Sequence, residues 1–169
     1  AAPGKAVAMV LQGFSWADIG QDKQNGEARP TLRQTRFMAY DAVLHGATAV
    51  MWWGTYKIPK DGTLWRDILA TARELRALEP VLCAADEHGQ YRATPEDFAV
   101  DSVMKTVAGR KYIIAANRNR VPRTAEFRVD GLGNRAVTVL GENRTLSPAA
   151  GSFGDAFDGF GTHVYTWEQ

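Results

Sequence analysis

The sequence predicts a chain of the α/β plus all-β class, in which a βαβα segment precedes an antiparallel β-sandwich. Two apolar runs alternate with two amphipathic helical patterns in residues 1–83. Short apolar stretches separated by glycine and asparagine turn signals fill residues 84–169. The chain has 169 residues and is 45% hydrophobic, enough for one good core or two small ones. We therefore predict a domain boundary between residues 83 and 84.

The first βα unit begins with a mostly apolar run at residues 5–12, which is typical of a parallel strand buried on both faces. A polar loop spans residues 13–29. Residues 31–34, Thr-Leu-Arg-Gln, fit a capping box and predict a helix start there. Gly46 is the expected left-handed stop of this helix. Its apolar stripe consists of Phe37, Tyr40 and Leu44.

The second βα unit begins with a short buried strand at residues 47–53, which ends in two tryptophans. A helix is predicted to open at residues 61–65 and to end near Pro80. Strand, helix, strand and helix with connections of this length form the parallel βαβ pattern, whose crossover is right-handed. The apolar face of the second helix consists of Leu64, Ile68, Ala72 and Leu75.

The second domain is predicted from closely spaced strands. In residues 125–129 the alternation places Phe127 and Val129 inward. Residues 131–136 loosely match a dinucleotide fingerprint, but a β-run follows where a helix is required, so a hairpin turn is the better interpretation. Five strands are expected, at residues 103–107, 111–116, 125–129, 136–140 and 162–167.

Composition excludes several classes of partner and site. With 20 basic and 19 acidic residues the net charge is +1, so neither nucleic acid nor an anionic membrane is indicated. No apolar run approaches about 18 residues, and the N-terminus lacks the pattern of a signal peptide. The three histidines lack ligand spacing, so we predict no metal and no cofactor. The sequence does not indicate the cellular compartment of the protein, and a secreted or periplasmic location is one of the alternatives.

Five segments carry a resemblance to glycoside hydrolases with a (β/α)8 barrel. Residues 10–16, Val-Leu-Gln-Gly-Phe-Ser-Trp, residues 29–31, Arg-Pro-Thr, and residues 38–53 resemble the seventh and eighth βα units of such a barrel. Residues 64–81 resemble its last helix, and residues 153–165 are similar to the closing strand of the small β-sandwich that often follows. The resemblance implies that residues 1–83 are the last two βα units of a TIM barrel and that residues 84–169 are its C-terminal sandwich.

The resemblance also implies a saccharide site. Active sites of these barrels lie at the carboxyl ends of the strands. Aromatic rings there can stack on the apolar face of a sugar, and an amide can bind its hydroxyl groups. Because neighbouring strand residues point opposite ways, we expect one of the two adjacent tryptophans to face the site and the other the helices. The predicted substrate-binding residues are Gln12, Trp16, Trp52, Trp53 and Tyr56.

The catalytic acids stay unassigned. Glycoside hydrolysis usually needs two carboxyl groups, about 5 to 5.5 Å apart for retention and wider for inversion. In the hydrolase clan that the chain resembles, the nucleophile is a glutamate at the end of the seventh strand, where this chain has Gln12. An amide cannot serve as that nucleophile, so we expect the acid pair outside this chain. The acids of the first loop and of the interdomain link are expected to be solvated: Asp18, Asp22, Glu27, Asp86 and Glu87.

Three interpretations of function stay open. A complete barrel takes about 250 residues, so the chain is expected to be part of a longer hydrolase, or to associate with the remaining strands, and to be inactive alone. The second interpretation is a noncatalytic carbohydrate-binding module with ligand contacts at Tyr91, Tyr112 or Trp167. The third gives the sandwich a purely structural role.

Overall fold

The computed structural model describes residues 5–20, 28–95 and 99–169. The chain contains both helices and sheets, and it forms two compact units, Ala1–Glu79 and Pro80–Gln169. The predicted loop acids Asp22 and Glu27 lie outside the described residues. Across the described ranges, every helix is too short or too polar to cross a lipid bilayer.

The first unit pairs two parallel strands and follows each with a helix. Strand β1 (Ala8–Gln12) and strand β2 (Ala49–Trp53) are in parallel register, with Gln12 opposite Trp53. Helix α1 (Leu32–Leu44) follows β1, and helix α2 (Thr63–Ala77) follows β2. The parallel pairing places the carboxyl ends of both strands, and the loops that leave them, at the same edge.

Local chemistry sets the ends of α1 as predicted. The Thr31 hydroxyl accepts a hydrogen bond from the Gln34 backbone N–H, and the Gln34 side chain accepts one from the Thr31 N–H, which is a complete capping box. Gly46, just beyond the helix, has φ of 86° and confirms the expected left-handed stop.

One carboxylate ties the two helices together. Glu74 on α2 accepts two hydrogen bonds of 2.8 Å from the Arg36 guanidinium on α1 and one of 2.6 Å from the Tyr40 hydroxyl. Burial, reinforced by the charge of Glu74, raises the pKa of Tyr40 well above its ordinary value. Tyr40 is therefore a neutral hydrogen-bond donor at all physiological pH values.

The second helix ends close to Pro80, as predicted. Helix α2 ends at Ala77, three residues before Pro80, and a short helix α3 (Glu79–Leu82) follows. Pro80 lies in the first turn of α3, where a missing backbone N–H leaves no helical hydrogen bond unmade.

The predicted burial of β1 on both faces is wrong for the described residues. On one face, Leu11 and Trp52 pack against the helices. The opposite face is open, with Val10 and Met51, which lie opposite each other, both 56% exposed. Ala8 and Ala49 are exposed on the same face. The reason is that two strands with two helices cover only one side of the sheet.

The second unit contains two antiparallel sheets. The strands are β3 (Tyr91–Thr94), β4 (Val100–Val107), β5 (Arg110–Asn117), β6 (Arg123–Val129), β7 (Val137–Val139), β8 (Arg144–Leu146), β9 (Ser152–Phe157) and β10 (Thr162–Glu168). One sheet has the strand order β4-β5-β10-β7-β8 and the other β3-β6-β9. The sequence did not predict β3, β8 and β9, which have three to six residues each.

The two sheets share one hydrophobic core. Phe127 and Val129 on β6 are buried in this core, as their alternation predicts, and the Phe127 ring packs against Phe153 of the same sheet and Tyr165 of the other. The turn at residues 130–134 carries the chain from β6 in one sheet to β7 in the other. The predicted hairpin is therefore wrong, because the two strands that flank this turn are not paired.

A bidentate ion pair crosses between the two sheets. The Arg144 guanidinium on β8 donates to both carboxylate oxygens of Asp155 on β9, at 2.9 and 2.7 Å. The Tyr165 hydroxyl on β10 donates to the same carboxylate at 2.9 Å. Burial alone would raise the pKa of Asp155, but these hydrogen bonds and the nearby positive charge outweigh burial and lower it. Asp155 is therefore ionised and anchors the edge of the sandwich.

The acids of the interdomain link have different surroundings. Asp86 is exposed, as predicted, and pairs with the buried ammonium of Lys105 at 2.7 Å. Glu87 is only 23% exposed and pairs with Lys111 at 3.1 Å, so its expected solvation is wrong. Both acids serve to hold the segment before β3 on the sandwich.

Candidate functional site

Two short loops meet at the carboxyl ends of β1 and β2. Gly13, just after β1, donates its backbone N–H to the carbonyl of Trp53 at 2.9 Å. Single 3-10 turns follow, Trp16–Ile19 after β1 and Thr55–Lys57 after β2. The hydrogen bond and the two tight turns bring the aromatic residues of the two loops together.

Four aromatic side chains form the centre of this region, and we call them the aromatic corner: Phe14, Trp16, Trp53 and Tyr56. Phe14 is buried, and the rings of Trp16 and Trp53 pack on it perpendicularly, with centroids 5.2 and 5.1 Å away. Tyr56 packs on Trp53 in the same manner at 6.3 Å. Trp16, Trp53 and Tyr56 are 47%, 46% and 67% exposed. A patch of large exposed aromatic rings on a buried support is typical of a binding surface.

The packing of Phe14 depends on two glycines. Gly54 has φ of 82°, and a Cβ at this position would lie 2.5 Å from Cδ1 of the Phe14 ring. A Cβ at Gly13 would lie 2.9 Å from the carbonyl oxygen of Trp53. Any side chain at either position would therefore displace the ring or the strand that carries Trp53.

The loop after β1 is held by the carboxylate of Asp18. Asp18 accepts a hydrogen bond from the Ser15 N–H at 2.7 Å and from Arg29 Nε at 3.0 Å, and it caps the turn that carries Trp16. Burial alone would raise its pKa, but the hydrogen bonds from Arg29 and Ser15 dominate and lower it. The expected solvation of Asp18 is therefore wrong, because its carboxylate is buried in an ion pair that orders the loop.

The adjacent tryptophans differ in surroundings. Trp52 packs with the core residues between the sheet and the helices. Trp53 belongs to the aromatic corner and is half exposed. Gln12 lies opposite Trp53 on the neighbouring strand, and its side-chain amide donates to the Phe14 carbonyl at 2.8 Å. Of the five predicted residues, Trp16, Trp53 and Tyr56 are brought together at the surface. Gln12 hydrogen-bonds the Phe14 carbonyl, and Trp52 packs against the core cluster that contains Phe14.

Phe14 was not predicted as a site residue. It lacks the polar group or exposed ring that marks a ligand contact, and its role follows from what it supports. The signal in the sequence is the placement of glycines next to the aromatic residues, since Gly13 precedes Phe14 and Gly54 follows Trp53. Glycines at both places allow close approach of the two loops.

The chemistry that the aromatic corner offers is stacking. The Lys57 ammonium lies 5.5 Å from the centroid of the Tyr56 ring, and that of Lys60 lies 4.0 Å from the centroid of Trp65, the next aromatic residue along the chain. In the described part of the first loop the carboxylate is that of Asp18, which accepts hydrogen bonds from the Ser15 N–H and from Arg29. The described residues of the corner thus supply apolar faces and no free acid–base pair.

The aromatic residues of the second unit are differently placed. Trp167 is buried in the sandwich core, so its expected ligand contact is wrong. Tyr91 packs against the same core and donates its hydroxyl to the Ser102 carbonyl at 2.7 Å. Tyr112 on β5 is half buried. The described strands of the sandwich therefore do not present these three rings together.

The sequence matches no protein-family model, and comparison with curated proteins gives no significant sequence match. Solved structures of glycoside hydrolases are similar in fold. The α-amylase of Geobacillus thermoleovorans, complexed with acarbose, matches 97% of this chain with a TM-score of 0.65 and 9% identity. A GH30 endoxylanase from Clostridium papyrosolvens C71 matches 98% with a TM-score of 0.55 and 17% identity.

A third similar structure is a putative α-galactosidase/melibiase from Bacteroides fragilis, which matches 95% of the chain with a TM-score of 0.59 and 16% identity. The chain spans 39%, 42% and 33% of the three proteins, in the order given. At these identities the likeness concerns the fold. Its extent agrees with the resemblance to the C-terminal portion of a glycoside hydrolase.

Proposed function

We propose that the chain is the closing portion of a saccharide-cleaving (β/α)8 barrel with its C-terminal β-sandwich, and that it supplies an aromatic wall of the substrate site. The observation that carries the proposal is the aromatic corner at the carboxyl ends of β1 and β2, the edge where such barrels bind substrate. The fold likeness to an amylase, a xylanase and a galactosidase-like protein supports it.

The catalytic acids come from the rest of the barrel in this proposal. Gln12 ends β1 with an amide that donates to a backbone carbonyl, and an amide cannot act as nucleophile or general acid. Asp18 is held by Ser15 and Arg29 with a lowered pKa, whereas a general acid needs a raised one. The oxygens of Asp18 are also engaged by Ser15 and Arg29, so in this proposal Asp18 orders the loop that carries Trp16 and does not attack the sugar.

The partner in this proposal is the remainder of the barrel, and the open face of the β1–β2 sheet is where it packs. Val10 and Met51 lie side by side there, each 56% exposed, in strands whose sequences are apolar on both faces. Exposed apolar strands with free edges favour association with further strands. We expect the isolated chain to self-associate through this face.

Saccharide binding is tested by calorimetric titration of the 169-residue chain with maltohexaose and xylohexaose, together with product analysis. We expect binding without hydrolysis, loss of binding in Trp53→Ala, and no change in Tyr112→Ala, which alters an aromatic residue of the sandwich. Binding that depends on Tyr112 would favour a carbohydrate-binding sandwich instead. Hydrolysis by the isolated chain, or absence of binding, would overturn the proposal.

The open face is tested separately by analytical ultracentrifugation. Val10 and Val121 are 56% and 54% exposed, one on the open sheet face and the other in a loop of the sandwich. We expect Val10→Lys to raise the monomer fraction and the matched Val121→Lys to leave it unchanged. A wild-type chain that is monodisperse and monomeric would contradict a missing partner on this face.

A further inference from the structure

We propose that the loop between β5 and β6 binds an anionic polysaccharide, one whose sugars carry carboxylate or sulfate groups. We call residues 118–123 the basic loop, because three of its six residues are exposed arginines: Arg118, Arg120 and Arg123. The choice of a polysaccharide as the partner rests on the proposed function. The anionic character of the partner follows from the basic loop itself, which belongs to the second unit.

The basic loop is fixed by the buried side chain of Asn117, the last residue of β5. The Asn117 amide donates hydrogen bonds of 2.9 Å to the carbonyls of Val121 and Asp158. Its side-chain oxygen accepts the N–H of Asn119, also at 2.9 Å. Loops on a protein surface are usually its most mobile segments. Here one side chain ties the loop to itself and to residues 158–161, which connect β9 to β10.

A close approach between the two backbones adds to this support. A Cβ at Gly159 would lie 1.9 Å from the carbonyl oxygen of Arg120, so only glycine allows the two connections to pack together. The Asn119 carbonyl accepts the Phe160 N–H at 2.9 Å. The carbonyls of residues 119–121 are therefore turned toward the protein, while the side chains of Arg120 and Val121 are exposed.

The guanidinium groups of the basic loop differ in their surroundings. Arg118 lies 3.3 Å from Asp101 and is neutralised by it. Across the described ranges, no carboxylate forms an ion pair with Arg120 or Arg123, and these two charges outnumber the acid of the supporting connection, Asp158. Like charges three residues apart on a fixed loop repel each other, and a bound anion removes that repulsion. A guanidinium also binds a planar oxyanion through two parallel N–H bonds.

A preorganised pair of arginines suits a ligand that carries its charges at intervals along a chain. Because the backbone of the basic loop is already fixed, the cost of ordering it is not incurred on binding. The anionic groups of a polysaccharide recur along its backbone, so that one strand can engage both guanidinium groups. A neutral polysaccharide offers no such group. We therefore expect the basic loop to distinguish charged from neutral forms of the same polysaccharide.

The test uses three forms of one polysaccharide, dextran, carboxymethyl-dextran and dextran sulfate, in calorimetric titrations of the 169-residue chain. We expect at least one anionic form to bind more tightly than neutral dextran, and the two anionic forms distinguish carboxylate from sulfate. Arg120→Gln and Arg123→Gln should each weaken that binding about three- to fivefold. Arg128→Gln removes the same charge from an exposed position on β6 and is the matched control, which should bind within about twofold of wild type.

Gly159→Ala tests the fixed backbone of the basic loop, because it leaves every charge in place. The added Cβ displaces the Arg120 carbonyl, and we expect anion binding to weaken about as much as on loss of one arginine. Circular dichroism checks that the variant is folded. Wild-type binding by folded Gly159→Ala would overturn the inference. The arginine variants change exposed side chains only, so they remain decisive if Gly159→Ala does not fold.

Three other results would overturn the inference. Equal losses of binding in Arg120→Gln and Arg128→Gln would show that the polyanion is attracted by the general positive charge of the surface. Equal binding of all three dextrans would show that the anionic groups are not recognised. Poly-glutamate that binds through the basic loop, without binding of either anionic dextran, would replace the polysaccharide by an acidic protein partner. None of these results alters the proposed function, whose test uses neutral hexasaccharides and Trp53→Ala.

Discussion

Replacing Gly54 with alanine tests whether the aromatic corner depends on close contact between the two loops. Gly54 has a left-handed backbone, with φ of 82°, and a Cβ there would approach Phe14 Cδ1 to 2.5 Å and Cγ to 2.8 Å. The ring cannot retreat freely because Trp16 and Trp53 pack on it from two sides. The substitution therefore adds a steric conflict to a backbone penalty.

The two contributions can be separated by a matched control. Gly46 has nearly the same backbone, with φ of 86°, but a Cβ there would meet no atom within 4 Å. Gly46→Ala should cost only the left-handed penalty, about 1–2 kcal/mol. Gly54→Ala should cost the same penalty plus about 1–3 kcal/mol for overpacking against Phe14. The loss of chain freedom in the unfolded state is equal in both variants and cancels.

Denaturant unfolding followed by tryptophan fluorescence measures the difference. Four of the five tryptophans lie in the first unit, so the signal reports chiefly on that unit. We expect Gly54→Ala to be less stable than Gly46→Ala by about 1–3 kcal/mol and to bind saccharide more weakly, because Phe14 moves. In a Phe14→Leu background the added cost of Gly54→Ala should fall by about 1 kcal/mol or more. Equal costs for the two glycine variants, with an unchanged near-UV circular dichroism spectrum, would refute the packing argument.

Two further predictions concern the ion pairs that support each unit. Glu74→Gln removes the charge that Arg36 and Tyr40 bind, and we expect it to destabilise the first unit by about 1–3 kcal/mol. Tyr40→Phe removes only one hydrogen bond to Glu74 and should cost about 1 kcal/mol. Equal losses of unfolding free energy in the two variants would show that the Arg36–Glu74 ion pair adds no stability. Burial opposes the ionisation of Asp155, but the hydrogen bonds from Arg144 outweigh it and lower the pKa of the carboxyl. The contribution of ionised Asp155 to stability is therefore complete above the ordinary carboxyl pKa of about 4 and is lost as the pH falls through the lowered pKa. Thermal unfolding of the sandwich between about pH 2 and 7 should therefore show a loss of stability in acid that is smaller in Asp155→Asn, and identical pH profiles would contradict the assignment.

Sequence signals predicted those features that depend on neighbouring residues in the chain. The capping box at Thr31 and the stop at Gly46 are set by side-chain and backbone chemistry within one turn of helix, and both are present. Strand β9 was missed because its few residues contain Gly154 and Asp155, which disfavour strands, and its pairing with β6 is made far along the chain. Residues 130–134 carry local signals for a turn, but those signals do not show which sheet the next strand joins. That depends on how the side chains of the strand pack in the hydrophobic core.

In the candidate site too, the sequence predicted what depends on local position and missed what depends on contacts between distant residues. Trp53 and Tyr56 were predicted because they lie at and just after the end of a predicted strand, which the resemblance places at the substrate-binding edge of a barrel. Phe14 was missed because its importance lies in contacts with residues about 40 positions away, which no local pattern shows. Asp18 was expected in solvent because polar loop residues usually are, but its partner Arg29 is brought to it only by the fold.

The open sheet face and the aromatic corner both lie where further strands of a barrel would pack. Apart from Gln12 at the end of β1, the open-face residues of β1 and β2 are apolar, as are those packed on the helices, so these strands carry a sequence suited to burial on both sides. Gln12 and Trp53 continue the line of open-face residues to the edge where the corner lies. Further strands packed on Val10 and Met51 would therefore extend beside Trp53 and add a second wall to the corner. If the proposed function holds, association with the rest of the barrel and saccharide binding stabilise each other. A charge placed at Val10 should therefore weaken saccharide binding by the completed barrel, although Val10 lies two residues before the end of β1.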